Sequence, residues 1–172
     1  MFIFVYLNKN YGLKMLEFEK RPYRLCAGIC LVNDTNKIFV GQRIDSSSDA
    51  WQMPQGGIDD GETPLQAAFR EMLEEIGTNK ATLITQLSTT LDYDLPTELA
   101  DTIWQGQFRG QRQYWFLFKF NGNDTDINLA TQHPEFKAFK WVDVNILPSL
   151  AISFKRDIYQ TVITEFVCYL NE

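Results

Sequence analysis

The stretch that most constrains this chain runs from Thr63 to Gly77. Thr63 offers a capping hydroxyl, Pro64 suits the first helical position, and Gln66 completes a capping-box pattern three residues after the cap. Leu65, Ala68, Phe69, Met72, Leu73 and Ile76 recur at three- and four-residue intervals, and Gly77 stands where a left-handed cap belongs. The spacing predicts a helix over residues 64–76 with one apolar face on a core. Its polar face holds Arg70, Glu71, Glu74 and Glu75. Like charges three and four residues apart repel by a few tenths of a kcal/mol, roughly, so three carboxylates on one ridge gain from a cation between them. Oxygen-only ligands suit Mg²⁺ or Mn²⁺ better than zinc, and Arg70 can hold a ligating carboxylate in place. Taken alone, such a ridge is most often a solvated face.

The rest of the chain places that helix in a mixed α/β domain. Leu25 to Val32, the turn cluster Asn33-Asp34-Thr35-Asn36 and Lys37 to Arg43 read as a β-hairpin. Trp51-Gln52-Met53-Pro54-Gln55-Gly56-Gly57 reads as a loop, because Pro54 and the paired glycines interrupt strands. Lys80 to Ser88, Gln113 to Phe120 and Phe136 to Val142 read as further strands. Beyond Ser153-Phe154-Lys155-Arg156, the residues Ile158, Val162, Phe166 and Leu170 step at helical intervals and predict a closing amphipathic helix. Strands broken by two separated helices imply helices packed on a sheet.

At 172 residues the chain is long enough for one substantial core, with residues 1–20 read as an N-terminal extension of unknown role and 21–172 as the domain. A net charge of −6 argues against broad adhesion to nucleic acid or anionic lipid, so an anionic substrate needs a local offset. A single histidine, His133, rules out multi-histidine zinc sites and reads as a loop residue without a role. Cys26, Cys30 and Cys168 are odd in number and lack a C-x-x-C spacing; they read as buried free thiols, which suits a reducing cytoplasm. Phe2 to Leu7 is too short and lacks the basic flank of a signal peptide, and no apolar run approaches the roughly 20 residues that span a bilayer.

The run Gly56-Gly57-Ile58-Asp59-Asp60-Gly61-Glu62, followed after seven residues by Arg70-Glu71-Met72-Leu73-Glu74-Glu75-Ile76-Gly77, resembles the Nudix box, G-x5-E-x7-R-E-U-x-E-E-x-G-U. Each fixed residue is present, and Thr78 replaces a bulky aliphatic at a packing position. The resemblance implies a Nudix fold, a mixed β-sheet sandwiched between α-helices. It also implies hydrolysis of a nucleoside diphosphate linked to another moiety, with Mg²⁺ or Mn²⁺ held by Glu71, Glu74 and Glu75 and by the carbonyl near Gly56. Glu62 and Arg70 would support the loop and the ligating carboxylates.

Outside the box, Arg21-Pro22-Tyr23-Arg24, Gly110-Gln111-Arg112-Gln113-Tyr114-Trp115-Phe116, Pro134-Glu135-Phe136 and Ser153-Phe154-Lys155-Arg156 resemble the bacterial RNA pyrophosphohydrolases and the related dinucleoside tetraphosphate hydrolases. That likeness implies a base held between Arg43 and Phe154, with Lys155 on phosphate and Tyr93 at the mouth. It aligns Asp126, one methylene shorter than the expected glutamate, with a further catalytic carboxylate, so the general base is Glu74 or Asp126. Trp51 and Trp115 read as core residues. The expected substrate is the triphosphorylated 5′ end of RNA, converted to a monophosphate that promotes decay. The alternatives are diadenosine tetraphosphate split to ATP and AMP, or a non-catalytic nucleotide- or RNA-binding domain, which would have lost box carboxylates. No membrane and no obligatory protein partner are implied.

Overall fold

The computed structural model describes residues 17–45 and 49–170. The Phe2–Leu7 run lies outside these described residues.

Strand β1 (Tyr23–Val32) is the spine of the sheet. It runs parallel to β7 (Gly110–Phe120) along its whole length, from Tyr23 opposite Gly110 to Val32 opposite Lys119. Antiparallel neighbours complete a mixed sheet: β2 (Ile38–Arg43), β3 (Trp51–Gln52), β4 (Gln55–Gly57), β5 (Ala81–Gln86), β6 (Leu91–Asp94) and β8 (Phe136–Val142). The expected hairpin forms: β1 meets β2 at Val32 and Ile38, while Asn33 Oδ1 accepts from the Thr35 and Lys37 backbone to tighten the turn. From there β2 goes on to pair with β3 and β8.

Side-chain alternation divides the interior in two. Ala27, Ile29 and Leu31 of β1 and Phe116, Phe118 and Phe120 of β7 face helix α1 (Pro64–Ile76), which buries Ala67, Ala68, Met72 and Ile76 against them. Cys30 and Val32 of β1 and Trp115 and Leu117 of β7 face the other way, onto helix α2 (Arg156–Leu170) with its buried Ile158, Tyr159, Val162 and Phe166. The sheet is therefore sandwiched, as expected. Cys26 and Cys30 are buried, and burial pushes both thiols up to about 12. Cys168 corrects the sequence reading: it lies on the exposed side of α2. Phe18, placed by sequence in the extension, packs into the α2-side core, and both Arg21 and Arg109 sit over its ring.

Three expectations need further adjustment. The stretch around Pro54 is more than a loop, because β3 and β4 flank the proline and β4 hydrogen-bonds the edge of β1, setting Cys26 opposite Gly57. Strand β7 starts at Gly110, since Gly110–Gln113 has β1 on one side and β6 on the other. Trp115 is buried as expected, whereas Trp51 is half-buried with the Lys140 ammonium 4.0 Å from its ring centroid.

Candidate active site

The register of β4 on β1 delivers Gly56 and Gly57 to the foot of α1. Thr63 caps the helix as the sequence predicts: its hydroxyl accepts from the Gln66 backbone, and Gln66 Oε1 accepts from the Thr63 backbone at 2.9 Å. At the far end Gly77 adopts φ 72° and donates to the Leu73 carbonyl. A side chain there would strike the Asn128 backbone, so glycine is required for both conformation and space.

Arg70 ties the loop to the helix. Its guanidinium donates to Glu62 Oε1 and Oε2 at 2.9 and 2.8 Å, to the Gly57 carbonyl at 2.7 Å, to Glu71 Oε1 at 2.7 Å and to Glu74 Oε2 at 3.0 Å. These contacts hold the Glu62 carboxyl below its usual range. At position 56 a Cβ would sit on the Glu71 carboxylate, so a larger residue there would displace that side chain.

The ridge is less solvated than an amphipathic reading implies. Glu74 is exposed, Glu71 is buried and Glu75 is 1 % exposed. Burial raises the Glu71 carboxyl, and it raises that of Glu75 strongly, with the charges of Glu135 and Glu71 adding to the effect. Glu75 Oε2 accepts from the Gln55 backbone at 3.1 Å, whereas Oε1 is buried without a hydrogen-bond partner. Glu135, from the loop before β8, comes within hydrogen-bonding range of Glu75. Two carboxylates in contact can share only a proton or a cation, so an orphaned oxygen beside Glu71 and Glu135 suits a divalent ion. No three such groups already converge as a metal cluster among the described residues, and Arg70 takes one oxygen each of Glu71 and Glu74. Ligation of those two oxygens would therefore compete with the guanidinium.

Glu71, Glu74 and Glu135 border a cleft of about 600 Å³ that Arg43, Tyr93, Phe154 and Lys155 also line. The sequence-derived substrate residues thus share one space with the glutamates. Tyr93 and Phe154 stack on each other, ring centroids 5.6 Å apart and 25° between planes. Arg43 is bound to Asp45 at 2.7 Å and to Glu135 at 2.9 Å. Lys155 is 8 % exposed, and burial lowers its ammonium to about 8. Its Nζ donates to Gln55 Oε1, which also accepts from Gln113 Nε2, both at 2.9 Å. Gln111 Oε1 in turn accepts from Gln55, Gln113 and Tyr93, giving the cleft a satisfied polar floor.

Asp126 stands elsewhere. It accepts from Lys80 Nζ and from the Asn123 backbone, and it borders neither this cleft nor the smaller cavity at the ridge. Glu135, within Pro134-Glu135-Phe136, has no role in the sequence analysis and lines both the cleft and the ridge cavity. His133 lines the ridge cavity with Glu71, Glu74, Glu75 and Glu135, from an exposed loop position.

Fold and site together define a sandwiched mixed sheet whose loop-helix segment presents carboxylates to a cleft lined by cationic and aromatic side chains. The chain belongs to the Nudix family: the NUDIX domain model matches residues 22–162. Members of that family generally use a divalent metal. The chain is 56 % identical over 144 residues to the RNA pyrophosphohydrolase of Rhodospirillum rubrum, covering 84 % of this chain and 87 % of that protein. It is 50 % identical over 158 residues to the RNA pyrophosphohydrolase of Rickettsia typhi, covering 92 % and 96 %. The fold is shared with the E. coli dihydroneopterin triphosphate pyrophosphohydrolase (TM-score 0.65, 24 % identity, 84 % of this chain and 99 % of that one). It is also shared with a C. elegans Ap4A hydrolase (TM-score 0.61, 19 % identity, 85 % and 98 %). No helix among the described residues is long and apolar enough to cross a membrane.

Proposed function

We propose that this protein hydrolyses the phosphate chain at the triphosphorylated 5′ end of RNA, leaving a 5′-monophosphate. The observation that carries the reading is the cleft itself: Glu71, Glu74 and Glu135 share a space of about 600 Å³ with the cations Arg43 and Lys155 and the aromatics Tyr93 and Phe154. Relatives at 50 % identity or more that bear the name RNA pyrophosphohydrolase support the choice of substrate.

Glu71, Glu74, Glu75 and the Gly56 carbonyl are the groups to hold Mg²⁺ or Mn²⁺, and Glu135 joins them through its contact with Glu75. When bound, the ion supplies charge neutralisation on the phosphate oxygens and a lowered pKa for the attacking water. Glu74, the exposed member of the ridge, accepts the proton of that water as the new P–O bond forms and the phosphate leaving group departs. Arg70 and Glu62 keep the ridge and the Gly57 carbonyl in register. Phe154 and Tyr93 offer aromatic surface to a base, Arg43 lies beside them, and Lys155 gives a buried positive charge to the phosphates.

The test is a comparison of kcat/KM, with Mg²⁺ and with Mn²⁺, for a 5′-triphosphorylated RNA and for diadenosine tetraphosphate. Faster attack on the RNA is expected. Preference for the dinucleotide would transfer the same site to dinucleoside polyphosphates, and turnover of neither would leave a binding domain.

A further inference from the structure

We propose that Trp115, which is buried beneath the cleft and does not line it, is a positioning residue. Its indole N–H sets the direction of the glutamine amides in the cleft floor, so that Gln55 turns its oxygen, and not its amino group, to the Lys155 ammonium. The inference rests on the phosphate-chain reading of the cleft and deepens it.

An indole N–H can donate and cannot accept, whereas a glutamine amide can present either end. Trp115 Nε1 donates to Gln113 Oε1 at 3.0 Å, so the Gln113 amino group faces the other way. There it donates to Gln55 Oε1 and to Gln111 Oε1, both at 2.9 Å. Gln55 Oε1 also accepts from Lys155 Nζ at 2.9 Å, while Gln55 Nε2 donates to Gln111 Oε1 at 3.1 Å. Were Gln113 reversed, two N–H donors would meet at the indole and two oxygens would meet at Gln55. Reversing Gln55 as well would relieve the second conflict only by setting an amino group against the buried Lys155 ammonium. One donor that cannot be inverted therefore fixes the whole chain of amides, and through it the group that holds the cleft cation.

The fold holds the indole in place. Gly28 of β1 stands opposite Trp115 of the parallel strand β7, and a Cβ there would lie 2.5 Å from indole Cδ2. Tyr159 of α2 packs edge-on against the same ring, centroids 5.9 Å apart, and its hydroxyl accepts from the Met53 backbone at 2.8 Å. Trp115 and Gln113 are 1 % and 0 % exposed, so solvent cannot stand in for either partner. Gln55, Gln111 and Lys155 line the cleft, whereas Gln113 and Trp115 do not, which makes any effect of Trp115 on substrate an indirect one.

The experiment measures kcat and KM on 5′-triphosphorylated RNA with Mg²⁺, together with hydrogen exchange of the Gln113 side-chain amide by NMR. It uses the wild type, Trp115→Phe, Gln113→Met, Gln113→Glu and the Trp115→Phe/Gln113→Met pair. Trp115→Phe keeps an aromatic ring against Gly28 and Tyr159 and removes the N–H. It is expected to raise KM roughly three- to tenfold, as loss of one buried hydrogen bond does, with kcat changed less than about twofold. Gln113 amide exchange should quicken at least about tenfold, since its oxygen is no longer held. Gln113→Met has no amide to orient, so adding Trp115→Phe to it should leave KM unchanged. Gln113→Glu still accepts from the indole but cannot donate to Gln55 or Gln111, and it should raise KM as much as Trp115→Phe. Wild-type KM in a folded Trp115→Phe overturns the proposal while leaving the RNA activity standing. Effects of Trp115→Phe and Gln113→Met that multiply in the pair overturn it too, because Trp115 would then act through packing alone. Should Trp115→Phe fail to fold, Gln113→Glu decides, and a wild-type KM there overturns the positioning role. A wild type that turns over no RNA defeats the functional reading, and amide exchange then judges Trp115 by itself: faster exchange in Trp115→Phe sustains the proposal and unchanged exchange overturns it.

Discussion

The acidic wall of the cleft, with Gly56, Gly57, Glu71 and Glu74, comes from one continuous stretch, whereas the binding wall is assembled from Arg43, Tyr93, Gln111, Phe154 and Lys155, drawn from both halves of the chain. The first wall is aligned by a single guanidinium that reaches Glu62, Gly57, Glu71 and Glu74. The second is held by the Tyr93–Phe154 stack and by bonds to neighbouring residues of the cleft, the Arg43–Glu135 ion pair and the Lys155–Gln55 hydrogen bond. Local construction gives the chemical centre a fixed geometry, and long-range construction gives the binding wall groups that a substrate must either join or displace. Glu135 belongs to both, bonded to Arg43 on one side and facing Glu75 on the other.

The sharpest way to break this comparison is Glu74→Gln. Loss of a ligating charge from the acidic wall should lower kcat by at least about 10²-fold, whereas an exposed, near-isosteric change should leave the melting temperature almost unmoved. Retained turnover would remove the ridge from the chemistry. A smaller effect is expected on the binding wall: Phe154→Ala should raise KM for RNA roughly tenfold, the worth of about one stacked base, and should loosen Tyr93. An unchanged KM would mean that no base uses that surface.

Lys155→Met separates stability from function on the binding wall. Free lysine titrates near 10.5 and folded Lys155 near 8, so between those values the unfolded chain binds a proton that the folded chain does not. Stability therefore rises with pH through that window, and below pH 8 the full cost of the buried charge, about 3 kcal/mol, is present. In the metal-free protein at pH 7, Lys155→Met should raise the melting temperature by several degrees, with the gain fading toward pH 10.5. KM for RNA should rise at the same time. A lower melting temperature at pH 7 would show that the Gln55 contact outweighs desolvation.

The smallest effect is expected at Asp126. Its carboxyl is held below the usual range by Lys80 and by its own turn, away from both walls. Asp126→Asn should change kcat by less than about threefold, and a hundredfold loss would return Asp126 to the mechanism.

Much of this was legible in the sequence because it is local. The cap at Thr63, the apolar stripe of α1, the Gly77 stop and the crowding of Glu71, Glu74 and Glu75 all depend on spacings within one helix, where 3.6 residues per turn fixes which side chains are neighbours. The same periodicity read α2 from Ile158, Val162, Phe166 and Leu170. Less was legible around Pro54, where pairing of β3 with β2 and of β4 with β1 made short strands of a stretch whose own residues discourage them.

Tertiary structure alone decided which carboxylate joins the ridge and what each cation faces. Asp126, in the short 3-10 turn Asp124–Asp126, and Glu135, just before β8, are both acidic residues between β7 and β8, and their local sequence does not say which one meets the ridge. The packing that puts Lys80 against one and Glu75 and Arg43 against the other does. It also buried Glu75 and Lys155, whose ionisation depends on desolvation and neighbouring charge rather than on residue type. Sequence spacing determined the local frame of this protein, because backbone geometry converts it directly into neighbours. Charge state and partnership were decided by chain segments meeting across the sheet, because solvent exclusion and Coulomb interactions act through space.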